Sequence, residues 1–291
     1  MSFWFLLYLS AFFAILVGDA GYGLLLLAGV GIWHRTRGVP PPIFRLCFIL
    51  GGVTVVWGAL SGNWFGSRTL AELPLLAAVV VPDLDVFSVA SQQQVMYLSF
   101  VLGASHLAVA HGLAAWRVGH ALAMVGHLGW LLVLAGAFFL VRFLVLEMPM
   151  PGFARWSIGV GAVIAVCCGQ PRKGLLATVL AGLGNFPLKA MACFSDLISY
   201  IRLFAVGMAT FAVAASFNDI ASAMYGGRVI MAGIGLLVLI LGHTTNILMA
   251  GLSVVVHGVR LNLLEFSGHA DMQWSGEPYR PFRLSQTHTH K

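Results

Sequence analysis

The segment Ser199-Tyr200-Ile201-Arg202-Leu203-Phe204-Ala205 puts a guanidinium near the middle of an apolar run at about 188–217. An arginine at the centre of a membrane-crossing helix costs on the order of 2.5 kcal/mol or more, so Arg202 is expected to face a partner or a watery cavity. Its own helix supplies no counter-ion. Positions 198, 199, 205 and 206 are Ile, Ser, Ala and Val, and Asp196, six residues back, falls on the other side of a 3.6-residue helix. Elsewhere in the apolar runs only Asp19 is plainly acidic. The structural alternative pairs Arg202 with carbonyls or with Asp19 to hold a bundle together. Small residues Ala205, Gly207, Ala209 and Ala212 follow it, as expected where another helix packs or passes closely.

A second pattern runs through His243, Asn246, Ala250, Ser253, His257 and Arg260, which recur every three or four residues and so share one face of an otherwise apolar helix. Such a stripe is expected to touch water and to line a half-channel in which imidazoles pass protons. The alternative is interhelical hydrogen bonding by Asn and His. Arg260 alone can also snorkel to an interface. A third cluster, Gly18-Asp19-Ala20-Gly21-Tyr22-Gly23, breaks the first apolar run with turn-forming glycines and a carboxylate that is expensive in lipid. His106, His111, His120 and His127 are spaced by five and seven within each pair, a poor match to a bis-histidine haem, and Cys47, Cys167, Cys168 and Cys193 show no metal-type spacing. No metal or cofactor is expected. There is no GxxxxGK[ST], so no nucleotide is bound here.

The elements that must position these groups are membrane helices. The chain of 291 residues is 59% hydrophobic and only 9% charged, with a mean hydropathy of +0.92, which excludes a soluble enzyme, a disulfide-stapled module and a disordered tail. Its net charge of +6 is dispersed, with no basic run dense enough for nucleic acid. Long continuous apolar runs argue for helices rather than a barrel. One all-α transmembrane domain, 1–291, is expected, with about eight spans. These are a hairpin at 3–33, spans at 43–63, 92–117, 121–146, 153–169, 188–217 and 229–264, and a cytoplasmic tail at 265–291. The last two are long and tilted, since 229–265 would reach about 55 Å against a hydrocarbon core of about 30 Å. Basic connectors (Arg35, Arg37, Arg45; Arg117; Arg172, Lys173, Lys189; Arg280, Arg283, Lys291) alternate with a set that is net acidic taken together, Glu72, Asp83, Asp85, Glu147 and Asp219 against Arg68, Arg155 and Arg228. Both termini are therefore expected in the cytoplasm. The first span lacks signal-peptide features and is expected to be retained.

Together, Gly18–Gly23, Ser199–Ala205, Val256-His257-Gly258-Val259-Arg260-Leu261 with Glu265-Phe266, and Gly276-Glu277-Pro278-Tyr279-Arg280-Pro281-Phe282 closely resemble the membrane half of the V/A-type rotary ATPase stator subunit, called subunit a or subunit I. The order of these motifs is also the family's. Members usually carry a long cytoplasmic N-terminal half, whereas this sequence opens directly on its first span. The resemblance implies an ion-translocating stator in a prokaryotic plasma membrane, embedded in lipid, facing a ring of proteolipid subunits and joined by other stator and stalk subunits. H⁺ is favoured over Na⁺. Arg202 would hold each passing ring carboxylate ionised and block a direct leak. Arg260 would assist, and His243, Asn246, Ser253, His257 and Glu265 would line the ion route. Gly18, Asp19, Gly21 and Gly23 would shape the first hairpin. The competing expectation is a secondary transporter using Arg202 to bind an anionic substrate, although no inverted repeat is evident. A third is a scaffold without conduction.

Overall fold

Backbone in hydrocarbon must satisfy its own hydrogen bonds, and a helix does so within each segment. The computed structural model describes residues 2–169, 175–225 and 229–272, and every regular element in them is helical. Arg172, Lys173, Arg228, the Gly276–Phe282 motif and the basic tail residues Arg280, Arg283 and Lys291 lie outside the described residues. The helices are α1 (Ser2–Val17), α2 (Ala20–Arg37), α3 (Pro41–Leu60), the short α4 (Arg68–Ala71) and α5 (Pro74–Ala77), α6 (Val89–Arg117), α7 (Ala121–Leu146), α8 (Gly152–Cys168), α9 (Leu175–Ser199), α10 (Ile201–Met224) and α11 (Val229–Ser253). Two π-helical turns, Val254–Gly258 and Leu261–Phe266, continue α11 into α12 (Ser267–His269).

Among the described residues, five helical runs are long and apolar enough to cross a bilayer: 41–60, 89–117, 121–146, 176–224 and 229–269. The pair α1 and α2, bent by 120°, passes the same test together, giving six rather than the expected eight. The shortfall is one of length. Eight crossings would need α1, α2 and α8, of 16, 18 and 17 residues, to span separately, against about 20 for a typical bilayer. The last two runs are indeed the longest, at 49 and 41 residues.

The expected basic loop at 170–189 is corrected by the structure, because helix begins at Leu175 and passes through Pro187 and Lys189. Packing overrides the proline there. Phe186 stacks on Trp130 of α7 with centroids 5.5 Å apart, and Gly182 lies against the Val166 carbonyl of α8. The run is interrupted only at Tyr200, between α9 and α10.

The core gathers around α1. Phe12 and Leu16 are fully buried with Phe100 and Leu107 of α6, Leu197 of α9, Leu203 of α10 and Leu261. Helix α3 holds the α1–α2 bend at very short range, since a Cβ on Gly58 would stand 2.1 Å from the Ala20 backbone nitrogen. No side-chain rotation relieves that overlap. Gly58→Ala should therefore force the hairpin apart at a cost of about 1–3 kcal/mol. Gly52→Ala on the same helix meets nothing within 4 Å and should be neutral or slightly stabilising. Thermal unfolding midpoints in detergent check the contrast, and equal midpoints for the two variants would contradict this packing.

Candidate functional site

At the first bend, Gly18 adopts φ +67 and Asp19 turns extended, ending α1 and capping α2. The Asp19 side chain is 1% exposed, and its Oδ1 accepts backbone N–H groups from Gly21 (2.7 Å), Tyr22 (3.2 Å) and Phe65 (3.0 Å). Asn63 closes the other side, donating from Nδ2 to the Gly18 carbonyl at 2.8 Å and accepting from the Gly66 N–H at 3.0 Å. Gly21 is required by closeness, because a Cβ there would lie 2.3 Å from the Phe65 ring. Gly23 packs against Val55 of α3. Asp19 thus spends its charge on backbone donors and forms no ion pair with Arg202, so the structural pairing of those two is not made.

From this bend a chain of hydrogen bonds crosses to the last two long helices. Asn246 donates to Tyr22 Oη (3.0 Å) and to the Thr210 carbonyl (2.8 Å), and Tyr22 Oη lies 2.7 Å from His243 Nδ1. His243 Nε2 lies 3.1 Å from Asn218 Oδ1, and Asn218 Nδ2 donates to the Phe65 carbonyl at 2.6 Å. One proton arrangement satisfies every link. His243 carries its hydrogen on Nε2 and accepts the tyrosine hydroxyl on Nδ1. The stripe expected to face water therefore turns inward here, with Asn246 and Ala250 at 0% and 2% exposure, while Leu248 and Leu252 on the same helix are 68% and 65% exposed. The helical period fixed which residues share a face, and interhelical hydrogen bonding decided its direction.

Arg202 lies half-buried further along, its Nη1 3.3 Å from Nδ1 of His257. As hydrogen-bond acceptor to a cation, that imidazole nitrogen must be unprotonated. Among the described residues Arg202 makes no ion pair with a carboxylate. Ser253 is half-buried one turn from His257. Ala205, Ala209 and Ala212 are exposed beside Arg202, whereas Gly207 faces inward, where a Cβ would stand 2.5 Å from the Ile15 carbonyl. Arg260 Nε and Glu265 Oε1 approach to 3.6 Å, with Glu265 only 4% exposed. Residues five apart do not meet on an α-helix, but π winding, with its i→i+5 bonds, brings them one above the other.

A further cluster, unforeseen from sequence, lies on the other side of Arg202. His106 is fully buried between Tyr200 Oη (2.7 Å from Nδ1) and Asn262 Oδ1 (3.2 Å from Nε2). Asp196 Oδ2 lies 2.9 Å from His269 Nε2, and His269 Nδ1 lies 3.0 Å from His111 Nε2. His127 and Asp271 stand 3.6 Å apart beside them. His111, His127, Lys189, Asp196, His269 and Asp271 line a cavity of about 250 Å³. Partners drawn from α6, α7, α9 and α12 have no common spacing to reveal them. The available signal was Asp196 itself, an acid inside an apolar run. Among the described residues no group of three or more His, Cys, Asp or Glu side chains is placed to hold a metal ion.

No family model matches the chain. Similar proteins of known identity do. The chain is 36% identical over 97% of its length to V-type ATP synthase subunit I 1 of Treponema pallidum and 34% identical over 97% to V-type ATP synthase subunit I of Borreliella burgdorferi. It is 25% identical over 96% of its length to A-type ATP synthase subunit I of Methanocaldococcus jannaschii. It covers 47%, 49% and 44% of these relatives, so the chain spans about half the length of the curated relatives it matches.

The crossing hydrogen-bond chain predicts the effect of one oxygen. Tyr22→Phe leaves His243 Nδ1 without its donor and Asn246 with the Thr210 carbonyl alone, so it should destabilise the protein by about 1–3 kcal/mol with the fold retained. A lowered unfolding midpoint in detergent is the expected reading, and an unchanged one would mean the hydroxyl is not held as described.

Proposed function

We infer the role of this chain from its kinship: it is a homologue of V- and A-type ATP synthase subunit I, a multi-pass helical membrane protein of the rotary ATPase. Its function is that of the ion-translocating stator, presenting Arg202 to a ring of proteolipid subunits in a prokaryotic plasma membrane and carrying H⁺ rather than Na⁺. Other stator and stalk subunits and membrane lipid complete its surroundings. Nucleotide chemistry belongs to other subunits.

The observation that carries this reading is the setting of Arg202. A guanidinium within a 49-residue apolar helical run has a neutral imidazole for its partner and no carboxylate among the described residues. Small exposed residues lie beside it, leaving room for a passing helix. A carboxylate arriving on that helix would be drawn into its ionised form by the fixed charge and would release its ion there. Polar clusters stand to either side along the same run. Asp196 precedes Arg202 by six residues and Asn218 follows it by sixteen, about 9 Å and 24 Å along a helix axis. That layout supports two access routes that end on opposite sides of the arginine, which itself bars direct flow between them. Arg260, held against Glu265, adds a second positive charge on the neighbouring helix run.

The test is Arg202→Ala in the complete complex reconstituted in vesicles. The variant should assemble with the ring and lose ATP-driven ion uptake by at least about tenfold, the magnitude of 1.4 kcal/mol or more. Arg202→Lys should fail as well, because an ammonium is a compact charge whose proton is lost more readily in low dielectric, whereas the guanidinium stays charged and offers a fork of donors. Ion uptake per ATP hydrolysed is the readout. Pumping near the unmutated level in Arg202→Ala removes the stator reading, and loss of assembly together with uptake returns Arg202 to a structural role.

A further inference from the structure

We propose that His111, His269 and Asp196 form a proton relay at the inner end of the bundle, so that this chain itself, and not only the ring it faces, restricts the transported ion to H⁺. The proposal rests on the stator reading above.

Geometry sets the order of the relay. His269 bridges two partners through opposite ring nitrogens, Nε2 to Asp196 Oδ2 at 2.9 Å and Nδ1 to His111 Nε2 at 3.0 Å. With its hydrogen donated to the carboxylate, neutral His269 offers a lone pair at Nδ1, and His111 must supply the hydrogen from Nε2. That leaves His111 Nδ1 as the free basic position, and it is buried without a partner. A proton added at His111 Nδ1 lets the Nε2 hydrogen of that ring pass to His269 Nδ1, whose own Nε2 hydrogen passes to Asp196 Oδ2. One proton is taken up at His111 and one appears on the Asp196 carboxyl; nothing is oxidised or reduced, and the reverse order returns it. Each ring then returns to its first tautomer by releasing a proton from Nδ1 to solvent and taking one up at Nε2, with no net change, before the next transfer.

Only a proton can use such links. A hard cation takes several oxygen ligands, whereas two of the three groups here present nitrogens already engaged with each other. The cavity of about 250 Å³ beside the relay is lined by Lys189, His127 and Asp271 as well as by the relay residues, which makes it a polar mouth for exchange. It is lined by Gly126 and His127 in the first turns of α7, by Gly169 after α8 and by Gly268, His269 and Asp271 at the end of the last run, the end that nearby basic residues assign to the cytoplasm. Tyr200, His106 and Asn262 form a separate cluster, outside the lining of this cavity, in which both His106 nitrogens are occupied.

The experiment uses the whole complex in vesicles, with uptake of H⁺ and of Na⁺ followed separately. His269→Ala should lower H⁺ uptake per ATP at least about tenfold, and millimolar imidazole, for which the neighbouring cavity has room, should restore a measurable part of it. Arg202→Ala should not respond to imidazole. His111→Gln, which keeps a hydrogen-bonding side chain, serves if the alanine variant does not assemble, and it should show the same loss. The unmutated complex should pump at full coupling in sodium-free buffer. Normal H⁺ uptake in both His variants, or a requirement for sodium in the unmutated complex, overturns the relay. If Arg202→Ala is inactive in that same experiment, the stator reading stands while the relay falls; if Arg202→Ala pumps, the stator reading fails first.

Discussion

One carboxylate oxygen fixes the half of this molecule around the α1–α2 bend. Asp19 Oδ1 collects three backbone N–H groups, two from the start of α2 and one from Phe65 in the connector after α3. In a medium without water those donors have no other acceptor, and each would cost about 1–3 kcal/mol if left bare. Meeting them at one atom holds the bend, and the bend aims Tyr22 at His243 and Asn246. Phe65, held by its N–H, presents its carbonyl to Asn218, so α10 and α11 are located by the same turn. Phe65 accepts a left-handed backbone at φ 55 to serve both sides. The position of Arg202 is therefore set in part from a residue of another helix.

The two polar regions differ in kind. Toward the bend, the donors and acceptors of Tyr22, His243 and Asn218 meet one another and tie four segments into register, while Asp19 Oδ2 and Asn246 Oδ1 stay buried without partners. Toward the end of the last run, Glu265 Oε2, Asn262 Nδ2 and His111 Nδ1 remain buried without partners, and a cavity opens beside the imidazoles. What separates the two is the cavity, lined by His111, whose Nδ1 is among the unpartnered atoms. Arg202 and His257 stand where one regime gives way to the other.

Much of this was legible in the sequence because lipid simplifies the rules. Continuous apolar runs identified a helical membrane protein, the glycines around Asp19 marked the bend, and Arg202 stood out by its cost. What failed needed knowledge of neighbours. The length of α9 was misjudged because Pro187 and Lys189 look like an end, although stacking of Phe186 on Trp130 and close contact at Gly182 carry the helix through. Periodicity gathered Asn246 with His243 on one face without saying which way the face turns. Asp196 points away from Arg202, and its partner is His269 on α12, which in turn meets His111 on α6.

The π-helical turns at 254–258 and 261–266 have a consequence for phase. Such a turn behaves as an α-helix that has absorbed one surplus residue, and two of them delay the rotation of everything beyond by roughly 200° relative to uninterrupted α winding. Without that delay His269 would lie on nearly the opposite side of its axis from Asp196, and Glu265 would leave Arg260. One continuous run thus presents two unrelated faces, its first part docked on Tyr22 and Thr210 and its last on His111 and Asp196. The sequence keeps both appointments by counting residues, so deletion of a single residue between 254 and 266 would dephase the far end while leaving the near end in place.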